Sequence, residues 1–399
     1  MHIVYVTPEF VTENKGGGLA SYLANIARIM VLYGHQVTIV VASEQNDDAI
    51  VWQENITVER VKKPQGNLLV PVRIMVQSRK LHVRVKQVHR KHPIDFIQYA
   101  SYEAVGLFHS RRIPSAVRIS SDCVSWREYK VYDYCEEDIR RCYLTDRLEY
   151  HAEKKIGNIY GPSHATAELV SERIHCPISI IESPFFLTKT EYDNSVYDEI
   201  LQGKKYYLSH SSMSCLKGSH VIAQAIPEIC ERDPEAYFVF AGSDHGIFYR
   251  DGKSESAKDY ILRYAGQFAD RIVFLGTLDR KPLFPIVKHA FACLMPSRID
   301  NMPNTCIEAM SMGKIVIGTR GASYEQLIED GVSGYLVGID CPEELIAAVF
   351  KVNALSEDER RQMEDRAKEV TGRFEPEETY KRVIRYYEDI IREKAGRET

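Results

Sequence analysis

The sequence predicts an α/β protein with two doubly wound parallel sheets. Short β-branched runs alternate with helix-length amphipathic segments, which is the pattern of parallel βαβ units. The alternation starts again after a polar stretch without periodicity at 184–204. A chain of 399 residues also has room for two or three domains. We therefore expect two α/β halves of similar construction.

The first half contains five predicted strands, at 2–6, 37–41, 94–98, 116–119 and 178–181. The second half contains six, at 206–209, 237–240, 272–275, 291–295, 315–318 and 334–337, with helices beginning near Lys217, Pro282, Pro303 and Pro342. We place an N-terminal domain at 1–187, a linker at 188–204, a C-terminal domain at 205–375 and a last helix at 376–399. Doubly wound sheets bind ligands beyond the carboxyl ends of their strands, so the loops there hold the candidate site residues.

The composition argues against several classes of protein. The net charge of −5 is not that of a nucleic-acid coat, and no nucleic-acid partner is expected. No apolar run approaches the ~18 residues that a membrane span requires. The nine cysteines are scattered and form neither a zinc motif nor a disulfide framework. We expect a cytoplasmic protein without a metal site.

Three glycines, Gly16, Gly17 and Gly18, follow the first strand and precede an amphipathic helix at 19–32. A helix N-terminus presents unpaired N–H groups and a partial positive charge, and glycines let a ligand approach the backbone, so this loop suits a phosphate. The alternative is a flexible loop that needs positive φ. Both interpretations stay open on the residues alone.

The segment 296–313 carries a sharper pattern. Pro303 is predicted to be the first residue of a helix, which leaves the amides of Asn304 and Thr305 available to an anion beyond a strand end. Glu308 follows within the helix, and its carboxylate can accept two hydrogen bonds from a vicinal diol such as a ribose. Lys217 adds a cation at another strand end. The alternatives are an ordinary surface carboxylate and a solvated lysine.

Taken together, these residues resemble the retaining family 4 glycosyltransferases of GT-B fold. The resemblance runs in order along nearly the whole chain: Gly17-Gly18, Lys217-Gly218, the turn 241–244, Gly276, and the run from Asp300 through Glu308 to Gly313. Its most specific part is an acidic pair with seven residues between, which the family writes with two glutamates and this chain writes as Asp300 and Glu308. The resemblance implies two Rossmann-like domains that face a central cleft, with the last helix packing back on the first domain.

The resemblance also implies roles for individual residues. Glu308 would bind the ribose of the donor nucleotide, Asp300 a hydroxyl of the transferred sugar, and Lys217 the leaving diphosphate. Lys217 and Asp300 are therefore the catalytic candidates. The donor-binding candidates are Gly17, Gly18, Lys217, Gly242, Gly276, Asp300, Asn301, Met302, Pro303, Asn304, Thr305 and Glu308.

The implied activity is retaining, hexosyltransferase-type transfer from a nucleoside diphosphate sugar to a glycan or lipid-linked acceptor, in cell-surface polysaccharide or glycoconjugate synthesis. No cofactor or metal is expected, because no two aspartates are separated by one residue. Three departures stand out. Asp300 is one methylene shorter than the family's glutamate, and Ser120 occupies the place of a histidine. Ser212 occupies the place of an arginine, for which Arg298 or Arg320 could substitute. A degenerate binding or stabilising subunit and a nucleotide-sugar epimerase are the alternatives.

The segment 60–94 is strongly basic. It contains no Asp or Glu and ten Lys or Arg residues, in a chain whose net charge is −5. One interpretation is a helix face whose charge is compensated by acidic neighbours. The other is contact with an anionic membrane surface or a phosphate-bearing acceptor, which would place the protein peripherally at the inner face of a membrane.

Overall fold

A computed structural model describes residues 1–13, 17–186 and 191–398 of the chain. Gly16 and positions 187–190, where the predicted linker begins, lie outside these residues. The chain divides into two compact units. The first unit comprises Met1–Val124, Arg141–Phe186 and Phe374–Thr399, and the second comprises Ser125–Arg140 and Leu187–Arg373.

The described residues of the first unit contain an eight-stranded sheet. Its strands are β1 (His2–Thr7), β2 (Gln36–Ser43), β3 (Ala49–Gln53), β4 (Ile56–Lys62), β5 (Phe96–Ala100), β6 (Ser115–Arg118), β7 (Ile159–Gly161) and β8 (Ser179–Ile180). The order across the sheet is β3-β4-β2-β1-β5-β6-β7-β8. Neighbouring strands are parallel except β3 and β4, which pair in antiparallel fashion.

Up to residue 186 the helices are α1 (Gly18–Leu32), α2 (Val70–Lys91), α3 (Cys123–Glu128), α4 (Glu136–Arg140), α5 (Leu144–Ile156) and α6 (His164–Ile174). No helix in the described ranges has the length and apolar character needed to cross a bilayer. Strand β7 was not predicted from the sequence, and neither was the hairpin of β3 and β4. Its turn is closed by Asn55 at φ 60°, a backbone conformation that asparagine adopts more readily than most residues.

The second unit contains a six-stranded parallel sheet in the order β13-β10-β9-β14-β15-β16. Its described strands are β9 (Lys205–Ser209), β10 (Ala236–Phe240), β11 (Ile247–Phe248), β12 (Ser254–Glu255), β13 (Ile272–Phe274), β14 (Ala292–Met295), β15 (Val316–Thr319) and β16 (Tyr335–Val337). The short strands β11 and β12 form a separate antiparallel pair. The predicted α/β fold with two largely parallel sheets is confirmed.

The remaining helices are α7 (Ser219–Arg232), α8 (Ala257–Ala265), α9 (Arg280–His289), α10 (Asn304–Ser311), α11 (Pro342–Ala354), α12 (Glu357–Thr371) and α13 (Pro376–Glu398). The last of them, α13, packs in the first unit, where Tyr387 is part of the hydrophobic core. The Tyr387 ring stacks on Phe96 with ring centroids 4.0 Å apart. Its hydroxyl donates to Gln98 Oε1 at 2.7 Å, so a buried polar group is satisfied inside the core.

One stretch of the predicted N-terminal domain belongs to the second unit. Residues 125–140, which follow β6 and precede α5, pack with Leu187–Arg373 rather than with the sheet of β1–β8. The amide of Tyr132 donates to the carbonyl of Phe248 at 2.7 Å, next to a parallel bridge between Val131 and Phe248. We call residues 125–140 the strap.

The basic segment is partly neutralised within the fold. Arg60 pairs with Glu13 at 2.7 Å, Lys63 with Glu44 at 2.7 Å, and Arg84 with Glu59 at 2.8 Å. Five other cations are exposed and form no ion pair within the described residues: Arg73, Arg79, Lys86, Arg90 and Lys91. The first interpretation is therefore confirmed for the paired cations, and contact of the exposed ones with an anionic partner stays a prediction.

Helix α5 buries two carboxyl groups one turn apart in the first unit. Glu149 accepts a hydrogen bond at 2.8 Å from the backbone N–H of Glu103. Glu103 has a φ of 56°, in the left-handed region, and this hydrogen bond helps to hold it there. Burial raises the pKa of Glu149 to about 7. Burial and the neighbouring Glu149 raise the pKa of Glu153 well above its usual range. At neutral pH, ionising both groups would place like charges in a poorly solvated site.

This burial makes the stability of the first unit depend on pH. In the unfolded chain Glu149 ionises near its ordinary value of 4.5, whereas in the folded protein it ionises near pH 7. Its contribution to stability is therefore complete below about pH 4.5 and is lost as the pH rises to about 7. Glu149→Gln keeps an acceptor for Glu103 but carries no charge, so we expect the variant to gain on the order of 3 kcal/mol over the wild type above pH 7.

The measurement is urea unfolding of both proteins at about pH 4.5 and about pH 8. The wild type should lose stability between these conditions by a larger amount than the variant. An equal loss in both proteins would contradict the assigned ionisation. Glu168→Gln, on helix α6, is the matched control.

Candidate functional site

The loops at the carboxyl ends of β9, β10 and β14 meet through close backbone contacts. A Cβ atom on Gly218 would lie 1.9 Å from the carbonyl oxygen of Pro296, and Gly218 has a φ of 71°. A Cβ on Gly242 would lie 2.0 Å from the carbonyl oxygen of Ser211. Glycine is required at both positions, because any side chain would separate the loops.

Lys217 and Asp300 form an ion pair at this edge of the sheet. Lys217 follows β9 and Asp300 follows β14, and their side chains are 21% and 11% exposed. The backbone carbonyl of Asp300 accepts the hydroxyl of Ser323 at 2.7 Å, which fixes the loop. An ammonium group has three donors, so Lys217 can hold Asp300 and still bind a second anion.

Helix α10 directs its N-terminus to the same edge. It begins at Asn304, with Pro303 as the preceding cap residue, one position later than predicted. The carbonyl of Pro303 accepts the amides of Cys306 and Ile307, whereas no acceptor for the amides of Asn304 and Thr305 is found in the described part of the chain. Two donors and the positive end of the helix therefore remain for a ligand. Asn301 and Met302, which precede this turn, are buried.

His210, at the end of β9, supports the first turn of α10. Its Nε2 donates to the carbonyl of Thr305 at 3.2 Å. Burial lowers the pKa of His210 to about 4, so the ring is neutral at physiological pH. This role of His210 was not predicted, since a contact with a residue 95 positions away leaves no local pattern in the sequence.

Glu308 lies on the second turn of α10 with its side chain 11% exposed. Its Oε1 atom accepts a hydrogen bond at 3.2 Å from Nη2 of Arg280, which is the first residue of α9. Burial raises the pKa of Glu308, and the charge of Arg280 opposes that change. Gly276, at φ 68°, forms the turn between β13 and the loop leading to Arg280. Arg280 was missed from the sequence.

The structure contradicts the suggestion that Arg298 replaces the arginine absent at Ser212, and for Arg320 the suggestion stays a prediction. Arg298 is 2% exposed and is engaged by Asp340 at 2.7 Å and by carbonyl groups of the strap. Arg320 is engaged by Glu344. The buried Arg298 has its donors taken up by Asp340 and the strap and is not placed to serve a phosphate, whereas Arg320 pairs with Glu344 at the exposed surface.

Gly17 and Gly18 lie in the first unit at the start of α1. Gly17 is the cap residue and its carbonyl accepts the amide of Ser21 at 3.0 Å. The assignment of Gly17 and Gly18 to donor binding stays a prediction. At the end of β6, the amide of Ser120 donates to Ser101 Oγ at 3.0 Å.

The chemistry of this edge suits a ligand that carries phosphate and hydroxyl groups. Lys217 and the N-terminus of α10 supply positive charge and donors, while Asp300 and Glu308 supply acceptors. Within the described residues no group of three or more His, Cys, Asp or Glu side chains is arranged to hold a metal ion.

Comparison with known proteins finds a family match within the second unit. Residues 204–354 match the family described as Glycosyl transferases group 1. Spore coat protein SA of Bacillus subtilis is 26% identical over 139 residues, which are 34% of this chain and 36% of the relative. The D-inositol 3-phosphate glycosyltransferase of Corynebacterium urealyticum is 27% identical over 180 residues, which are 44% of this chain and 41% of the relative. The matches thus span about a third to two fifths of these relatives.

Solved structures match the fold of nearly the whole chain. Sucrose-phosphate synthase from Thermosynechococcus elongatus superposes with a TM-score of 0.76 at 15% identity, covering 98% of this chain and 99% of that one. HepE of Anabaena, in complex with UDP and glucose, has a TM-score of 0.69 at 16% identity and covers 98% and 100%. Residues 204–354 are therefore a glycosyl transferases group 1 domain, in a chain with the GT-B fold of the glycosyltransferases.

Proposed function

We propose that this protein is a retaining, metal-independent glycosyltransferase of family 4 that acts on a nucleoside diphosphate sugar. The acceptor is a glycan or lipid-linked molecule in cell-surface polysaccharide or glycoconjugate synthesis. One observation carries the proposal: Lys217, Asp300, Glu308 and the N-terminus of α10 share one edge of a sheet inside the matched domain. That edge offers partners for each polar part of such a donor.

Each part of the donor has a partner in this proposal. The ribose diol donates to Glu308, whose side chain is 11% exposed and pairs with the half-exposed Arg280. The diphosphate lies against the amides of Asn304 and Thr305 and against Lys217. Asp300 accepts a sugar hydroxyl while it also orients the ammonium of Lys217.

Transfer breaks the bond between the sugar C1 and a phosphate oxygen, and the electron pair stays on the diphosphate. Lys217 and the α10 amides stabilise that developing charge, which fixed donors do without reorganisation. The acceptor hydroxyl forms the new bond to C1 from the same face, and its proton passes to the leaving phosphate oxygen. This route retains the configuration without a protein nucleophile.

We also propose that helix α2 places the first unit on an anionic membrane. Seven residues spaced by three or four positions form an exposed stripe that begins at the cap residue of this helix and continues along it: Leu69, Val72, Val76, Arg79, Val83, Lys86 and Arg90. We call it the α2 stripe. Its apolar part includes Leu69, which is 77% exposed, and its basic part has no ion pair within the described residues. Apolar contact combined with positive charge is the chemistry of a helix lying on anionic lipid.

The first prediction concerns Glu308. Glu308→Gln should weaken binding of the nucleoside diphosphate sugar by roughly tenfold to a hundredfold, because the ribose loses a charged acceptor. The measurement is calorimetric titration with UDP-, GDP- and ADP-sugars. Glu357→Gln, on the exposed surface of α12, is the matched control and should bind as the wild type does. Unchanged affinity in the Glu308 variant would refute its assigned role.

The second prediction concerns metal ions. Donor hydrolysis and sugar transfer should persist in EDTA, since fixed cations and amides balance the leaving diphosphate. The assay compares untreated enzyme, EDTA-treated enzyme and enzyme resupplied with Mg²⁺ or Mn²⁺. A complete loss that either metal restores would contradict the proposal. Conversion of the donor without any acceptor would instead indicate an epimerase, and nucleotide binding without turnover a degenerate subunit.

The third prediction concerns the α2 stripe. Changing the three cations of the stripe and the adjacent exposed Lys91 to Gln should reduce binding to phosphatidylserine-containing vesicles at least tenfold, since each cation contributes about 1 kcal/mol near charged lipid. The four are Arg79, Lys86, Arg90 and Lys91. Arg84 is left unchanged because it pairs with Glu59 inside the fold. Binding should also fade between about 0.1 M and 1 M salt.

A control variant with four exposed cations of the second unit changed to Gln should bind vesicles as the wild type does. These are Arg232, Lys253, Lys351 and Arg366. Both variants should keep the wild-type affinity for the nucleotide sugar. If the wild-type protein does not sediment with anionic vesicles at low salt, the membrane contact is refuted, and the basic segment is either neutralised within the fold or meant for a soluble anionic acceptor.

A further inference from the structure

A cavity of about 530 Å³ lies beside Lys217, wholly within the second unit. The strap contributes Trp126 and Lys130 to its wall, and the loop after β9 contributes Ser212, Ser214 and Lys217. The Nζ atom of Lys217 lies 5.7 Å from the centre of the Trp126 ring. Cavities of this size hold small-molecule ligands, and this one presents two cations and two hydroxyl groups.

The backbone at Lys130 is held in place by its neighbours. Arg298 Nη1 donates to the carbonyl of Tyr129 at 3.1 Å and to that of Val131 at 2.8 Å, on either side of Lys130. Arg298 Nη2 donates to the carbonyl of Tyr132 at 2.8 Å. A fully buried guanidinium therefore fixes the point from which the Lys130 side chain extends.

The side chain of Lys130 is exposed and has no ion pair or hydrogen bond within the described part of the chain. The neighbouring cation, Lys217, already shares its charge with Asp300. The net positive charge available to a ligand in the cavity is therefore contributed largely by Lys130.

A departing nucleoside diphosphate carries more than one negative charge, and a single lysine that is already paired cannot balance it. Ser212 lines the cavity but carries no charge. Arg298 pairs with Asp340 and Arg320 pairs with Glu344. We propose that Lys130, delivered by the strap, is the second phosphate-binding cation of the donor site. This inference rests on the proposed function and names the residue that completes its cation pair.

The test measures binding of nucleoside diphosphates against the matching monophosphates, using UDP and UMP, GDP and GMP, and ADP and AMP. Lys130→Gln should weaken binding of the preferred diphosphate about tenfold and leave binding of its monophosphate within twofold, since the lost contact is to the second phosphate. Lys130→Arg should retain at least half of the wild-type affinity. Lys351→Gln, which removes an exposed charge from α11, should change neither affinity.

Three results would overturn the proposal: equal diphosphate affinity in Lys130→Gln and wild type, an equal loss for mono- and diphosphate, or a loss that Lys130→Arg does not restore. Because Lys130 is exposed, its variants are expected to unfold at the wild-type temperature. Thermal unfolding of the same samples is the check. If the wild type binds none of the nucleotides, the proposed function itself fails. Loss of binding in Glu308→Gln without any loss in Lys130→Gln would leave that function standing and refute only the role of Lys130.

Discussion

The candidate site of the second unit depends on the buried guanidinium of Arg298. It pairs with Asp340 at 2.7 Å and donates to three carbonyl groups of the strap. Asp340 in turn binds His220 on α7 at 2.7 Å. Burial alone would raise the pKa of Asp340, but the hydrogen bonds from His220 and Arg298 lower it. Removing one partner of such a buried pair typically costs about 3–5 kcal/mol, because the other charge stays desolvated and unpaired.

The site around this anchor is assembled from backbone contacts as much as from side chains. Gly218 lets the loop after β9 touch the loop after β14, and Gly242 lets the loop after β10 touch Ser211. The three loops are therefore held at fixed separations before any ligand binds. Lys217, which directly precedes Gly218, and Asp300, four residues beyond Pro296, are brought together by that contact. Preorganised charges of this kind stabilise a developing anion most effectively.

Much of this arrangement follows from local patterns in the sequence. Alternating apolar runs predicted five of the eight strands of the first sheet and all six of the second, and the Pro303 start predicted α10 within one residue. The contacts that the sequence could not predict join distant residues. Arg280 and Glu308 are 28 positions apart, and Arg298 and Tyr132 are 166 apart. Periodicity reports which face of an element is buried, but not which distant loop lies against it.

The strap also determines which continuous fragments of the chain contain a complete unit. Continuous fragments that end near residue 187 contain the strap without Arg298, and fragments that begin near 205 contain Arg298 without the strap. The first of these also lacks Val383, Tyr387 and Ile390, which α13 contributes to the core of the first unit. A nascent chain emerging from the ribosome therefore cannot finish either unit until much of the other has been synthesised. Folding that relies on such long-range closures is slow, and it leaves apolar surface uncovered until the last helix is made.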